Sequence, residues 1–125
     1  MAGSSFDLVD RLLTFSVRVG KVVDALPDTR MGRHIAGQLV RCGTSPGANY
    51  AEACAAESRN DFLHKLGVVL KELRESHYWL SLVMKSKILP EARVEALDDE
   101  CDQLCRVIAK SIVTTKANRK RSNSD

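Results

Sequence analysis

Among its 125 residues the chain has only three Phe, two Tyr and one Trp, and only three Pro. A core built from it must therefore be mostly aliphatic, and 44% of the residues are hydrophobic. No segment alternates apolar and polar residues as a half-buried strand does, so a sheet is not expected. Without a strand there is no setting for a strand-borne, glycine-rich phosphate loop. Apolar runs last only a few residues, far short of the roughly 18 that cross a bilayer. Met1-Ala2-Gly3-Ser4-Ser5 places no basic region ahead of an apolar one, so no secretory leader is expected either. These absences point to a cytoplasmic protein of one domain, long enough to bury a core without metal or disulfide.

Charge of one sign is also scarce. The 19 Lys and Arg exceed the 16 Asp and Glu by three. The segment from Lys116 to Asp125 holds four of those cations (Lys116, Arg119, Lys120 and Arg121) and one anion, which accounts for the whole excess. The expected organisation is a neutral bundle over residues 1–115 and a basic, disordered tail over 116–125, rich in Ser and Asn.

Helical periodicity is the dominant signal. Leu8, Leu12, Phe15, Val19, Val22 and Leu26 recur at steps of three and four from about Phe6 onward, with Ser4 or Ser5 available as a cap. Val9, Leu13, Val17 and Val23 widen that apolar arc beyond what one seam needs, which predicts a second burial partner. After Pro27-Asp28-Thr29-Arg30 a second helix begins near Met31 and is rich in Gly and Ala. Pro46 lies inside it. Two readings stand: a helix kinked there, or one ending near Gly43 with Ser45 capping a new helix. Ser58-Arg59-Asn60-Asp61 then opens a third helix through Phe62, Leu66, Val69, Leu73, Leu80, Val83 and Met84 to about Lys87. Pro90 suits the first turn of a fourth, whose seam is Val94, Leu97, Cys101, Leu104, Ile108 and Ile112. Its outer face is acidic. Short connections make sequential helices antiparallel, so the expected fold is an all-α, up-down-up-down four-helix bundle.

The residue types that carry catalysis or bind metals are present, but their spacing argues against such a role. Asp61 and His64 form one carboxylate-histidine pair where a di-iron bundle needs two. Cys101 and Cys105 are one turn apart, but Cys101 falls on the core seam and no second paired-Cys motif exists; Cys42 and Cys54 likewise lie in helical patterns. His34, His64 and His77 belong to no nucleophile motif. No enzyme, metal or cofactor is expected. Asn49, Glu52 and Glu75 stand among small or apolar neighbours. They are expected either to satisfy backbone groups freed by Pro46, with Arg41 or Arg74 as charged partners, or to face a partner. His77, Tyr78 and Trp79 are read as core or interface aromatics.

Ser45-Pro46-Gly47-Ala48-Asn49-Tyr50-Ala51-Glu52-Ala53, then Phe62-x-x-x-Leu66, then Lys71-Glu72-Leu73-Arg74-Glu75-Ser76-His77-Tyr78-Trp79-Leu80 together resemble the four-helix-bundle proteins encoded in intervening sequences of bacterial large-subunit ribosomal RNA genes. The resemblance spans roughly Phe6 to Lys116. It implies one long bent second helix and assembly as a homopentamer. It also implies an alternative to a purely protein-binding role, because relatives that serve diversity-generating retroelements form basic pentameric barrels that bind nucleic acid and a reverse transcriptase. On that alternative, Arg30, Arg33, Arg41, Lys65, Lys71, Arg74 and the tail cations Lys116, Arg119, Lys120 and Arg121 would contact phosphates without reading sequence.

Overall fold

In the computed structural model residues 2–124 are described, with side chains described for 7–118 and 120. Four helices account for nearly all of them: α1 (Ala2–Ala25), α2 (Arg30–Cys54), α3 (Arg59–Ser86) and α4 (Glu95–Ser124). The connections after α1 and α2 are four residues each, and a short 3-10 turn at Glu91–Arg93 precedes α4. Cross-helix contacts run in opposite senses: Arg41 of α2 meets Glu75 of α3, while Glu52 meets Lys65. His77 of α3 meets Asp98 of α4, and the Cys101 thiol meets the carbonyl of Leu73. The bundle is antiparallel. α2 packs most extensively on α3, α1 lies along α2, α3 lies along α4, and α1 touches α4 lightly.

The expected seams form the core. Leu8, Leu12, Phe15, Val19 and Val22 of α1 are buried, as are Leu66, Val69, Leu73, Leu80 and Val83 of α3 and Val94, Leu97, Cys101, Leu104 and Ile108 of α4. Leu26 and Ile112, at the ends of their seams, are half-buried. From α2 come Ile35, Leu39, Cys42, Tyr50 and Ala53. The caps follow local chemistry: the Thr29 hydroxyl accepts from the Gly32 N–H at 3.0 Å, and Ser58 does the same for Asp61 at 3.0 Å.

One open reading is decided and three local expectations change. α2 runs unbroken through Pro46, so the helix does not end near Gly43; Pro46 is buried, and tertiary packing outweighs its missing N–H. α1 begins at Ala2, upstream of the serines expected to cap it, whose side chains lie outside the described residues. Pro90 stands ahead of the 3-10 turn rather than in the first turn of α4. The segment from Lys116, expected as a disordered tail, continues α4 to Ser124, since neither Gly nor Pro interrupts it.

Candidate functional site

The densest polar cluster lies between α2 and α3. Glu72 and Glu75 are three residues apart on α3, which sets both carboxylates on the side facing α2. Arg41 answers both: Nη1 donates to Glu72 Oε2 at 3.0 Å, and Nη2 donates to Glu75 Oε2 and, at 3.3 Å, to Gln38 Oε1. The side chain of Glu72 is only 13% accessible, and a carboxylate so covered needs such a partner. Desolvation opposes the charged form of Arg41, but Glu75 and Glu72 outweigh it and hold the guanidinium above its ordinary value. Glu75 also accepts from Trp79 Nε1 at 3.1 Å, and the Trp79 ring meets His34 and Tyr78 edge-on at 5.6 and 5.1 Å. Of the two arginines offered from sequence as charged partners, Arg41 holds Glu75, while Arg74 is exposed.

Asn49 and Glu52 do not join that cluster. Asn49 Nδ2 donates to the Ser45 carbonyl at 3.0 Å and to Ser45 Oγ at 2.8 Å. The carbonyl that Pro46 crowds is that of Cys42, one turn before the proline, so Asn49 serves a different residue. A further side-chain donor near the proline comes from α1, where Ser16 Oγ lies 3.2 Å from the Gly43 carbonyl and 3.1 Å from that of Leu12, so it too serves residues other than Cys42. Sequence reading missed Ser16, because its role depends on how α1 sits against α2. Glu52 is 62% accessible and pairs with Lys65 Nζ at 2.6 Å across the surface. The three polar residues are thus three separate ties.

The cations proposed to contact phosphate are scattered, and several are already neutralised. Arg33 pairs with Asp28 at 2.8 Å, while Arg41 and Lys65 end on Glu72, Glu75 and Glu52. Arg30, Lys71, Arg74, Lys116 and Lys120 are exposed. The side chains of Arg119 and Arg121 lie outside the described residues. On the acidic face of α4, Asp98 meets His77 Nδ1 at 2.6 Å and Glu100 meets Arg11 at 2.7 Å.

A different surface is apolar. Val9, Leu13 and Ser16 of α1 and Thr44, Gly47, Ala48 and Ala51 of α2 line a groove of about 390 Å³. Leu13 is 60% exposed, Val17 55% and Val40 41%. The Thr44 hydroxyl turns back to the Val40 carbonyl at 2.6 Å, so it offers the groove no unspent donor. This is the apolar arc the sequence predicted would need a second partner.

Of the cysteines, Cys42 and Cys101 are buried and Cys105 is half-buried. Burial pushes the Cys42 thiol up, although the Ser76 hydroxyl, 3.3 Å away, pulls the other way. Cys101 is held far above its ordinary value by its hydrogen bond with Cys105 and by burial. The same hydrogen bond lowers Cys105, burial opposes it, and Arg74 and His77 assist. Asp61 and His64 are both exposed in the first turns of α3. Among the described residues no group of three or more His, Cys, Asp or Glu could hold a metal ion, and no helix is long and apolar enough to cross a membrane.

A family model described as 23S rRNA-intervening sequence protein matches residues 5–110. The chain is also 31% identical to a protein of unknown function from the S23 ribosomal protein family of Bacteroides thetaiotaomicron, whose crystal structure aligns over 84% of this chain and 97% of that one with a TM-score of 0.79. No curated protein matches.

Proposed function

The chain belongs to the 23S rRNA-intervening sequence protein family, and we propose that it works without catalysis, as a cytoplasmic, self-associating scaffold or interaction module. One observation carries this reading: exposed Leu13 and Val17, with half-buried Val9, beside Val40, Thr44, Ala48 and Ala51. An apolar face of this kind, continuous across two helices, marks an interaction surface. The small residues of α2 let a neighbouring helix approach closely. A second copy is the partner, and the pentamer implied by the family resemblance is the expected number.

Light scattering after size exclusion at micromolar concentration tests this. A multiple of 13.8 kDa is expected for the natural chain, and Leu13→Asp should return the monomer mass with an unchanged helical circular-dichroism spectrum. A natural chain that runs as the monomer removes the reading. The runner-up, sequence-tolerant RNA binding through the basic residues, rests on Arg30, Lys71 and Arg74 in the bundle, because Arg33, Arg41 and Lys65 already have carboxylate partners, and on the net positive charge of the segment from Lys116 onward. Deleting residues 116–125 removes the whole net charge of +3. RNA affinity that survives the deletion with the same salt slope excludes the tail as its source.

A further inference from the structure

The light contact between α1 and α4 leaves a cavity of about 170 Å³ lined by Arg18, Lys21 and Val22 of α1, Leu89 and Arg93 of the connection, and Ala96 and Leu97 of α4. Arg18 and Lys21 are three residues apart and share a helix face. The antiparallel register then brings Arg93, just ahead of α4, to the same place. Three cations line this cavity and no carboxylate does. Arg11, two turns earlier on α1, is by contrast clasped by Glu100, with Nη2 at 2.7 Å and Nε at 3.2 Å. Among the described residues Arg18, Lys21 and Arg93 make no ion pair, although Glu91, Glu95 and Asp99 lie close by in sequence. Arg18 is also half-buried. Gathering like charges on a partly apolar wall costs free energy unless a counter-charge is supplied.

We propose that this cavity binds the phosphate group of a phosphate monoester. Two guanidinium forks and an ammonium suit the oxygens of a dianion, and the guanidinium geometry allows paired hydrogen bonds to phosphate. Val22, Leu89 and Leu97 provide the low-dielectric wall that strengthens such contacts. The cavity is smaller than the ~300–1,000 Å³ typical of sites that enclose a whole drug-sized ligand. It therefore takes the phosphate and the atoms next to it. This site lies on the α1–α4 seam, apart from the α1–α2 groove, so it stands or falls independently of self-association.

The test is calorimetric titration of the full-length protein with inorganic phosphate at low salt, and with a short RNA carrying either a 5′-phosphate or a 5′-hydroxyl. Phosphate should bind, and Arg93→Gln and Lys21→Gln, both at exposed positions, should each weaken it about tenfold, the scale of one lost charge-assisted contact. Lys71→Gln on α3 should leave it unchanged. A preference for the 5′-phosphorylated RNA that disappears in Arg93→Gln identifies an RNA end as the source of the phosphate. Phosphate binding without that preference identifies a free small phosphate. The proposal is overturned by no phosphate binding at about 10 mM, or by losses in Lys71→Gln equal to those in Arg93→Gln.

Discussion

The α2–α3 seam and the α1–α4 seam use similar residues and close to different degrees. Along α2–α3, Arg41 joins Glu72 and Glu75, Lys65 joins Glu52, the Ser76 hydroxyl reaches Cys42, and Ile35, Leu39, Leu66 and Leu73 are fully buried. Along α1–α4, the Arg11–Glu100 ion pair stands between two openings among the described residues. One is the cavity beside Arg18; the other is a groove of about 430 Å³ bordered by Leu8, Tyr50, Phe62 and Val107. Helices joined by four-residue loops are brought into register by the chain itself. The first and last helices meet only through the others, and small or charged side chains such as Ala96, Ser111 and Lys21 do not fill the gap between them.

The largest effect expected from this contrast is at Leu73. Leu73→Ala should cost about 3 kcal/mol by urea unfolding, because the closed seam cannot collapse around the void. Leu8→Ala, at the edge of the open groove, should cost about half as much. Equal losses would break the comparison. Next comes Gly43, where an added Cβ would stand 2.6 Å from Val19 Cγ1. Gly43→Ala should cost about 2 kcal/mol through overpacking of α1 on α2. At Gly37, where nothing lies within 4 Å, the same change should stabilise the folded subunit by roughly 0.5–1 kcal/mol. A smaller effect is due at the Arg11–Glu100 ion pair of the open seam: Arg11→Gln should cost up to about 1 kcal/mol at low salt and less at high salt.

The smallest effect concerns pH. The folded chain holds the Cys42 proton above the ordinary thiol value of 9.0, whereas the unfolded chain loses it there. Its contribution to stability is therefore present below 9.0 and declines as pH rises past that value. Thermal melts of Cys42→Ala should show a shallower alkaline decline than those of the natural chain. An unchanged slope would place the titration elsewhere.

The core was legible because a seam such as Leu66, Val69, Leu73, Leu80 and Val83 repeats with the helix itself, whatever the partner. Pro46 was ambiguous because the rule against proline is local, while its burial comes from the fold. The candidate site was less legible for the same reason. Counting cations identified Arg33, Arg41 and Lys65, but the carboxylates that neutralise the latter two lie on another helix. Glu75 stood out as a polar residue amid apolar neighbours with Arg41 or Arg74 as its partner, and the helix register selects Arg41. Arg18, Lys21 and Arg93 were not recognised as a group, because only the antiparallel register of α1 and α4 joins residues so far apart in sequence. The spacing of Arg18 and Lys21 beside the buried Val19 and Val22 was the available clue.

The four-residue connections have a kinetic consequence as well. Contacts between helices adjacent in sequence close short loops, and chains dominated by such contacts fold within microseconds to milliseconds. The α2–α3 hairpin combines a short loop with the most complete packing, so it is the natural nucleus. Substitutions at Leu39 or Leu73 would then slow folding, whereas changes at Leu104 or Ile108, whose helix docks later, would chiefly speed unfolding.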